Sequence, residues 1–467
     1  MAGHPDRIQD GADRADGVGS AVAHDPSYST PRDTIFVKWV DSVRICRGGI
    51  VEPDADHRLL ALKSAIRQFV MPVSASKNSF GRFLDRLEAL RGVAALWVIV
   101  SHSMIWLAMG EETALWSKPV FDVHGGQAVL ARAVVGLFNG AAAVDIFFVL
   151  SGFVLARSLR NNPLTLGNYS RFVVRRVFRI FPAFWLSLAV VVLYLVFVFP
   201  GYAKLPGASV WFNWAYAEPF SAEQLWQNVR FHTASLNSNA WTLKIEMAAS
   251  LVLPFMVWCI GRRGMARAWV TLGVAIAASV WVTGDWAWLT TYLYMFAAGA
   301  IISRQTERAD FHLASSRWFL ASCAALIVVP GFYWPTIHIW QADFPIVLGA
   351  SGLISAIAAS PKSSALRFLD SAWARFLGKI SYSFYILGFI TLYMVANWCL
   401  HSLPAGLLQR WPLPVMAVVC VVAVAFTTVF AAASFHWIEK PLTVLGRRLT
   451  QSRTLTIPAQ LHPRVDS

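Results

Sequence analysis

The sequence predicts an all-α fold: a polytopic membrane protein with about ten transmembrane helices behind a disordered N-terminal tail. Of its 467 residues, 56% are hydrophobic and only 14% are charged, a composition that is typical of membrane proteins. Apolar stretches long enough to cross a bilayer as helices recur between residues 89 and 435. The five cysteines contain no Cys-x-x-Cys pair, so neither a disulfide framework nor a metal site is predicted.

Residues 1–83 form a polar N-terminal tail in this prediction, because their composition lacks sustained apolar periodicity. Within it, residues 58–71 fit an amphipathic helix on the membrane and an ordinary soluble helix equally well. No cleavable signal peptide is expected, and Met71 is an alternative start. A transmembrane domain is predicted over 84–447, and a short cytoplasmic tail over 448–467.

Ten apolar stretches are long enough, or nearly long enough, to be spans. Their predicted ranges are 89–109, 137–158, 180–200, 239–260, 268–284, 286–303, 318–333, 344–360, 380–401 and 413–435.

The loops between these spans predict the orientation. With the N-terminus inside, the inner loops hold sixteen basic residues and the outer loops five. The positive-inside rule therefore predicts that both termini are cytoplasmic. The net charge of +14 is explained by membrane orientation, and nucleic-acid binding is not predicted.

Glu88, Arg91 and His102 follow one stripe of the first span. Arg91 and His102 are eleven positions apart, so on a helix they share a face to within about 20° and lie about 16 Å apart. Glu88 joins that face one turn before Arg91. A cation and a titratable base on one stripe are unsuited to facing lipid. The pattern therefore predicts that this helix face lines a reaction path.

Asp145 and Glu246 place carboxylates inside two further spans. An ionisable group at mid-bilayer costs about 2.5–3.5 kcal/mol, so its presence requires a reason. Counting helical rise from the predicted span ends puts both carboxylates and His102 in one layer, nearer the outer face. Helix-packing hydrogen bonds are the simpler explanation for Asp145 alone, but three groups in one layer favour a site.

Such a site suits acyl transfer to a hydroxyl group. Histidine can remove the hydroxyl proton near neutral pH, and a carboxylate on its other ring nitrogen would orient it. Either Asp145 or Glu246 could play that part. Ser151-Gly152 lacks the flanking residues of a nucleophile elbow, so direct transfer is predicted in place of an acyl-enzyme.

A group of arginines precedes the third span. Arg175, Arg176 and Arg179, with Arg171, lie on the predicted inner side. Together with Arg91 they could bind the phosphates of a cytosolic coenzyme A ester. The alternative is that they serve only the positive-inside rule.

Several segments resemble the membrane-bound acyltransferase-3 family, in order and over about residues 84 to 447. These segments are Leu84–His102, Val144–Phe153, Arg175–Pro182, Asn239–Glu246, Ile380–Tyr385 and Phe435–Pro441. The resemblance implies a bacterial inner-membrane O-acyltransferase with His102 as catalytic base and Arg91 as an essential residue. It implies acyl-CoA, with acetyl-CoA the expected one, as a donor substrate and no permanently bound cofactor. The implied acceptor is a surface polysaccharide or a related glycan, and Trp241 and Ser151 are candidate substrate-binding residues.

Two positions depart from the family pattern. Gly388 stands where the family often has a histidine, and Thr242 stands where it usually has a serine. Two other functions stay open: a non-enzymatic carrier of a lipid-linked glycan or acyl group, and a degenerate family member that acts as a scaffold. A carrier should not need His102 to titrate.

Overall fold

The computed structural model describes residues 79–451, apart from 161, 200, 262–264, 307–315 and 361–362. The predicted amphipathic segment at 58–71 lies outside these residues, as does almost all of the predicted N-terminal tail. Most of the predicted C-terminal tail, from residue 452 onward, lies outside them as well.

The described chain is helical and contains no strand. Its α-helices are α1 (Ser79–Ser103), α2 (Gly126–Leu137), α3 (Gly140–Leu159), α4 (Leu166–Phe197), α5 (Val210–Trp214), α6 (Ala222–Val229), α7 (Ala240–Ile260), α8 (Ala266–Trp281), α9 (Ala287–Gln305), α10 (Arg317–Val328), α11 (Pro330–Tyr333), α12 (Trp340–Ala359), α13 (Ala372–Ser402), α14 (Ala405–Arg410), α15 (Pro412–Ser434) and α16 (Lys440–Leu449). Short 3₁₀ turns occupy Leu115–Ser117, Val120–Asp122, Gly284–Trp286 and Ser364–Asp370, and a π-helical turn at Phe435–Glu439 joins α15 to α16.

Every predicted span coincides with a helix, which confirms the all-α membrane fold. Within the described residues, six helical stretches are long and apolar enough to cross a membrane by length and composition. These stretches are Gly126–Leu159, Leu166–Phe197, Ala240–Ile260, Trp340–Ala359, Ala372–Ser402 and Pro412–Leu449. Two shorter apolar helical stretches, Ala266–Trp281 and Arg317–Tyr333, add to them.

Three predicted boundaries were wrong. The ninth span was predicted to begin at 380, but α13 begins at Ala372. The first span was predicted to run to residue 109, but α1 ends at Ser103, where tight turns close onto the carbonyls of Ser101 and His102. The third span was predicted to begin at 180, but α4 is one continuous helix from Leu166. The arginines before Pro182 therefore lie on a helix and not in an inner loop.

Helix α1 is central to the packing, because it contacts α13, α3 and α15. Its crossing with α13 is very close: a Cβ atom added at Gly92 would lie 2.4 Å from the backbone nitrogen of Gly378. A Cβ added at Gly378 would lie 2.5 Å from the carbonyl oxygen of Glu88. Small residues at a crossing let helix backbones approach in this way.

An ion pair fixes the N-terminal half of α1. Arg86, buried in α1, donates to both carboxylate oxygens of Asp370 at 2.9 and 2.7 Å, and to the carbonyl of Ser363 at 3.1 Å. The Arg86 guanidinium holds the pKa of Asp370 below its ordinary value. This contact ties α1 to the 3₁₀ turn that leads into α13.

The segment between α11 and α12 is held by contacts from an earlier part of the sequence. Arg132, fully buried in α2, donates to the carbonyls of Gly331 and Trp334, each at 2.8 Å. The amide of Thr336 donates to the carbonyl of Trp116 at 2.8 Å. Residues 334–339 are therefore anchored at several points.

The close crossing of α1 and α13 gives a stability prediction. Gly92→Ala should lower the free energy of unfolding by about 1–3 kcal/mol, because the added methyl group overlaps the α13 backbone. Gly273→Ala is the matched control: this helical glycine has open space around its Cβ position, and alanine there should stabilise by about 0.5–1 kcal/mol. Thermal unfolding of the two variants in detergent measures whether each substitution raises or lowers the stability. Equal stability would contradict the close crossing.

Candidate active site

The structure places Arg91 against a small polar cavity inside the bundle. The cavity measures about 30 Å³, enough for one water. Its polar lining comes from six other side chains: Ser151, Thr242, Glu246, Ser381, Tyr382 and Tyr385. Within the described residues, no hydrogen bond or ion pair reaches the Arg91 guanidinium. Its five N–H donors are therefore available to a ligand.

His102 lies in the last turn of α1, about three turns beyond Arg91 on the same face. Its half-buried ring lies 5.1 Å from the ring of Trp211 in α5, centroid to centroid. The ring makes no hydrogen bond to any described residue. Glu88, one turn before Arg91, is exposed.

Glu246 lies at the level of Arg91 and not at the level of His102. One of its carboxylate oxygens accepts a hydrogen bond from Arg176 at 2.7 Å and from Ser151 at 3.1 Å. The predicted single layer of His102, Asp145 and Glu246 is therefore wrong for Glu246. The depth count assumed a first span that runs to residue 109, whereas α1 ends at Ser103 and His102 lies in its last turn.

The other α4 arginines contact the end of the described chain. Arg179 forms an ion pair with the fully buried Glu439 and lies over the Tyr382 ring. Arg175 donates to the Thr450 hydroxyl at 2.6 Å. Arg175, Arg176 and Arg179 were predicted to bind donor phosphates together, yet in the structure each guanidinium already has a different partner.

Buried polar contacts continue from Glu439 into α13. The second carboxylate oxygen of Glu439 accepts from the Ser383 hydroxyl at 2.7 Å, and the hydroxyls of Ser383 and Ser434 are 2.9 Å apart. The π-helical turn at Phe435–Glu439 places this carboxylate inside the bundle.

Asp145 belongs to a second polar cluster that sequence reasoning missed. Its carboxylate lies 3.4 Å from Nδ1 of His338, which in turn lies 3.6 Å from the carboxylate of Asp343. The Trp241 ring lies 5.1 Å from the His338 ring. The ionisable Asp343 at the start of an apolar span was the available sequence signal, but nothing in the sequence linked it to Asp145.

His338 lies between α11 and α12, and two effects act on its pKa. Burial lowers the pKa, but the carboxylates of Asp145 and Asp343 outweigh burial and raise it to about 10.

The two departures from the family pattern have local explanations. The hydroxyl of Thr242 lies 3.1 Å from the hydroxyl of Tyr385, at the wall of the Arg91 cavity. A Cβ atom at Gly388 would lie 2.7 Å from Ile99 of α1. A histidine at this position would therefore require Ile99 to move.

Comparison with known proteins assigns the family. The acyltransferase-3 family model, described as an acyltransferase domain, matches residues 84–432. The chain belongs to the acyltransferase-3 family. It is accordingly an O-acyltransferase and a multi-pass membrane protein, as the resemblance in the sequence implied.

Named relatives of this acyltransferase act in several settings. Nodulation protein 10 of Rhizobium leguminosarum bv. viciae is 25% identical over 418 residues, covering 79% of this chain and 96% of that protein. The putative membrane-bound transacylase BcsY of Komagataeibacter xylinus is 26% identical over 323 residues, 64% of this chain and 79% of BcsY. Peptidoglycan O-acetyltransferase OatA of Listeria monocytogenes is 30% identical over 200 residues, 38% of this chain and 30% of OatA. No solved structure shows a significant match.

The ion pair between Arg179 and Glu439 gives a prediction about stability. Arg179→Ala should destabilise the acyltransferase by about 3–5 kcal/mol, because it leaves a fully buried carboxylate without its cation. The double variant Arg179→Ala/Glu439→Gln should recover part of that loss, since no buried charge remains unpaired. A double-mutant cycle of thermal unfolding in detergent measures the coupling. Additive effects of the two changes would contradict a direct pairing.

Proposed function

We propose that this acyltransferase transfers an acyl group, with acetyl the expected one, from cytosolic acyl-CoA to a hydroxyl of a surface glycan. The observation that carries the proposal is the α1 stripe: Arg91 and His102 share one helix face, and neither side chain is hydrogen-bonded to a described residue. Polar groups held in a bundle without partners are suited to binding ligands.

His102 acts as the general base in this proposal. Its unprotonated ring accepts the hydroxyl proton of the acceptor as the hydroxyl oxygen attacks the thioester carbonyl. The C–O bond forms, the C–S bond breaks, and the coenzyme A thiolate leaves and takes a proton. Neither Asp145 nor Glu246 contacts the His102 ring among the described residues, so the proposal assigns neither as its orienting carboxylate.

Arg91 binds the donor in this proposal. Its unpartnered guanidinium would contact the anionic or carbonyl oxygens of acyl-CoA, with the pantetheine arm along α1 towards His102. Because the present cavity holds about one water, donor binding requires the lining side chains Tyr382 and Tyr385 to move apart.

A larger cavity supports a nucleotide-bearing donor. It has a volume of about 700 Å³ and lies where α3, α7 and α9 end, with Arg160, Arg267 and Arg304 in its lining. On α7 its lining residue Val257 lies eleven positions beyond Glu246, or about 16 Å along the helix. These three arginines give the cavity a positive lining that would attract an anionic part of the donor, and Arg160 and Arg304 also donate to the carbonyls of Ser303 and Ile260.

The relatives and the loop charges support the acceptor and the location of the enzyme in this proposal. OatA is named as a peptidoglycan O-acetyltransferase, which supports a glycan acceptor here. Even without the four α4 arginines, which lie on a helix, the predicted inner loops hold more basic residues than the outer loops. This excess supports an inner-membrane enzyme with both termini in the cytoplasm.

Replacement of His102 tests the general base. His102→Asn should reduce acyl transfer by about 10²–10⁴-fold, the usual contribution of a positioned proton acceptor, while leaving the amount of membrane-inserted protein unchanged. His401→Asn is the matched control, since His401 is an exposed residue in the last turn of α13. The assay is glycan acylation by purified enzyme with acyl-CoA. Near-normal transfer by His102→Asn would exclude His102 as the general base. If the wild-type protein transferred no acyl group from any acyl-CoA, that result would favour a non-enzymatic carrier.

Replacement of Arg91 tests the donor site. Arg91→Gln should raise the KM for acyl-CoA by about 10–100-fold, because a charge-assisted contact worth about 1.5–3 kcal/mol is lost. Arg410→Gln, an exposed change on α14, should leave the KM unchanged. Steady-state kinetics at varied donor concentration gives both values. An unchanged KM in Arg91→Gln would remove Arg91 from the donor site.

A further inference from the structure

The cluster of Asp145, His338 and Asp343 plays no part in the proposed transfer reaction. The three side chains come from three separate elements: α3, the segment between α11 and α12, and the first turn of α12. Their side chains are 0%, 13% and 3% exposed. One ligand atom from each lies within 4.8 Å of the other two.

The contacts in this cluster are too long for good hydrogen bonds. Nδ1 of His338 lies 3.4 Å from an Asp145 oxygen and 3.6 Å from an Asp343 oxygen, whereas charge-assisted N–H···O bonds are about 2.7–2.9 Å long. Nδ1 of His338, both carboxylate oxygens of Asp145 and one of Asp343 have no hydrogen-bond partner in the described part of the chain. Four unpartnered polar atoms in one buried place require an explanation.

These separations fit ligands around one metal ion. Atoms bound tetrahedrally at about 2.0–2.2 Å from a zinc ion lie about 3.3–3.6 Å from one another. Octahedral coordination at the magnesium distance of about 2.1 Å would bring neighbouring ligands to about 3.0 Å, closer than is observed. Calcium is disfavoured by the imidazole ligand, because calcium takes oxygen ligands. Two carboxylates and one imidazole are also a donor set that zinc accepts.

The charge of the cluster favours a divalent cation. Two buried carboxylates would carry two negative charges, which are costly in an apolar bundle, and a protonated His338 would offset only one of them. The ring neighbours of His338 are uncharged, since the rings of Trp241 and Tyr292 lie 5.1 and 5.4 Å away. A single divalent ion would neutralise both carboxylates.

The ligand-bearing segment is positioned independently of any ion. Arg132 and the amide of Thr336 anchor residues 334–339 from outside the cluster. His338 is therefore presented to Asp145 by contacts that a ligand substitution leaves intact.

We propose that Asp145, His338 and Asp343 bind one zinc ion that joins α12 to α3. The fourth position is filled by the second oxygen of Asp145 or by a water. The ion is structural: it fixes His338 beneath Trp241, whose neighbour Thr242 lines the Arg91 cavity. The cysteine pattern of the sequence predicted no metal site, but these ligands are not cysteines and lie far apart in sequence. The proposal is independent of the proposed function.

Metal analysis of the purified enzyme tests this site. Wild-type protein carrying a histidine-free affinity tag should contain about one zinc per chain. After treatment with a chelator, its melting temperature should fall, and added zinc chloride should restore it, because an ion that binds only the folded state stabilises that state. Asp343→Asn should bind zinc more than about 100-fold more weakly, since loss of a direct ligand costs at least as much as loss of an outer-sphere partner.

Asp285→Asn is the matched control, because Asp285 is exposed in the 3₁₀ turn before α9. It should keep wild-type zinc content and zinc-dependent stabilisation. Size-exclusion chromatography shows whether each variant is folded. If Asp343→Asn does not fold, the chelator experiment on the wild-type protein still tests the proposal. Wild-type protein without zinc and with a melting temperature insensitive to both chelator and zinc would overturn the proposal. That result would assign the cluster to an imidazolium bridging two carboxylates.

Discussion

Charged side chains inside an apolar helix bundle require partners, and this electrostatic requirement determines how the helices around α1 are arranged. Arg86 reaches Asp370, Arg176 reaches Glu246, and Arg179 reaches Glu439. Each pair joins segments that are far apart in sequence. Because an unpaired buried charge is strongly destabilising, these pairs restrict which helices can be neighbours. The glycine crossing of α1 and α13 then brings two of those helices into backbone contact.

The polar residues that lack a partner in the bundle indicate where ligands bind. Arg91 and His102 have no hydrogen-bond partner in the described chain, although a bundle with many acceptors surrounds them. The Asp145 carboxylate is fully buried and also lacks hydrogen bonds. Since most buried polar groups in proteins are satisfied, these exceptions mark the places where a ligand completes the structure.

The two polar centres are separated by one layer of aromatic rings. Phe148 lines the Arg91 cavity and contacts Trp241, which contacts His338. The Asp145 cluster is therefore connected to the cavity wall by ring contacts, and in a close-packed interior a shift of His338 would press on these rings. The proposed zinc ion would thus support the shape of the donor site without contacting the substrate.

The sequence alone determined the helical membrane fold, the family, and the positions of Arg91 and His102 on one helix face. These features depend on local hydrophobicity and on helical periodicity, which are properties of short stretches of chain. It could not determine the partners of Asp145, Glu246 and Arg179. The depth count failed for Glu246 because it inferred three-dimensional level from predicted span ends, and α1 ends at Ser103 and not at the predicted residue 109. Only the tertiary structure decided which charges form pairs. Pairing depends on which helices are neighbours, and contacts between residues that are far apart in the sequence determine this.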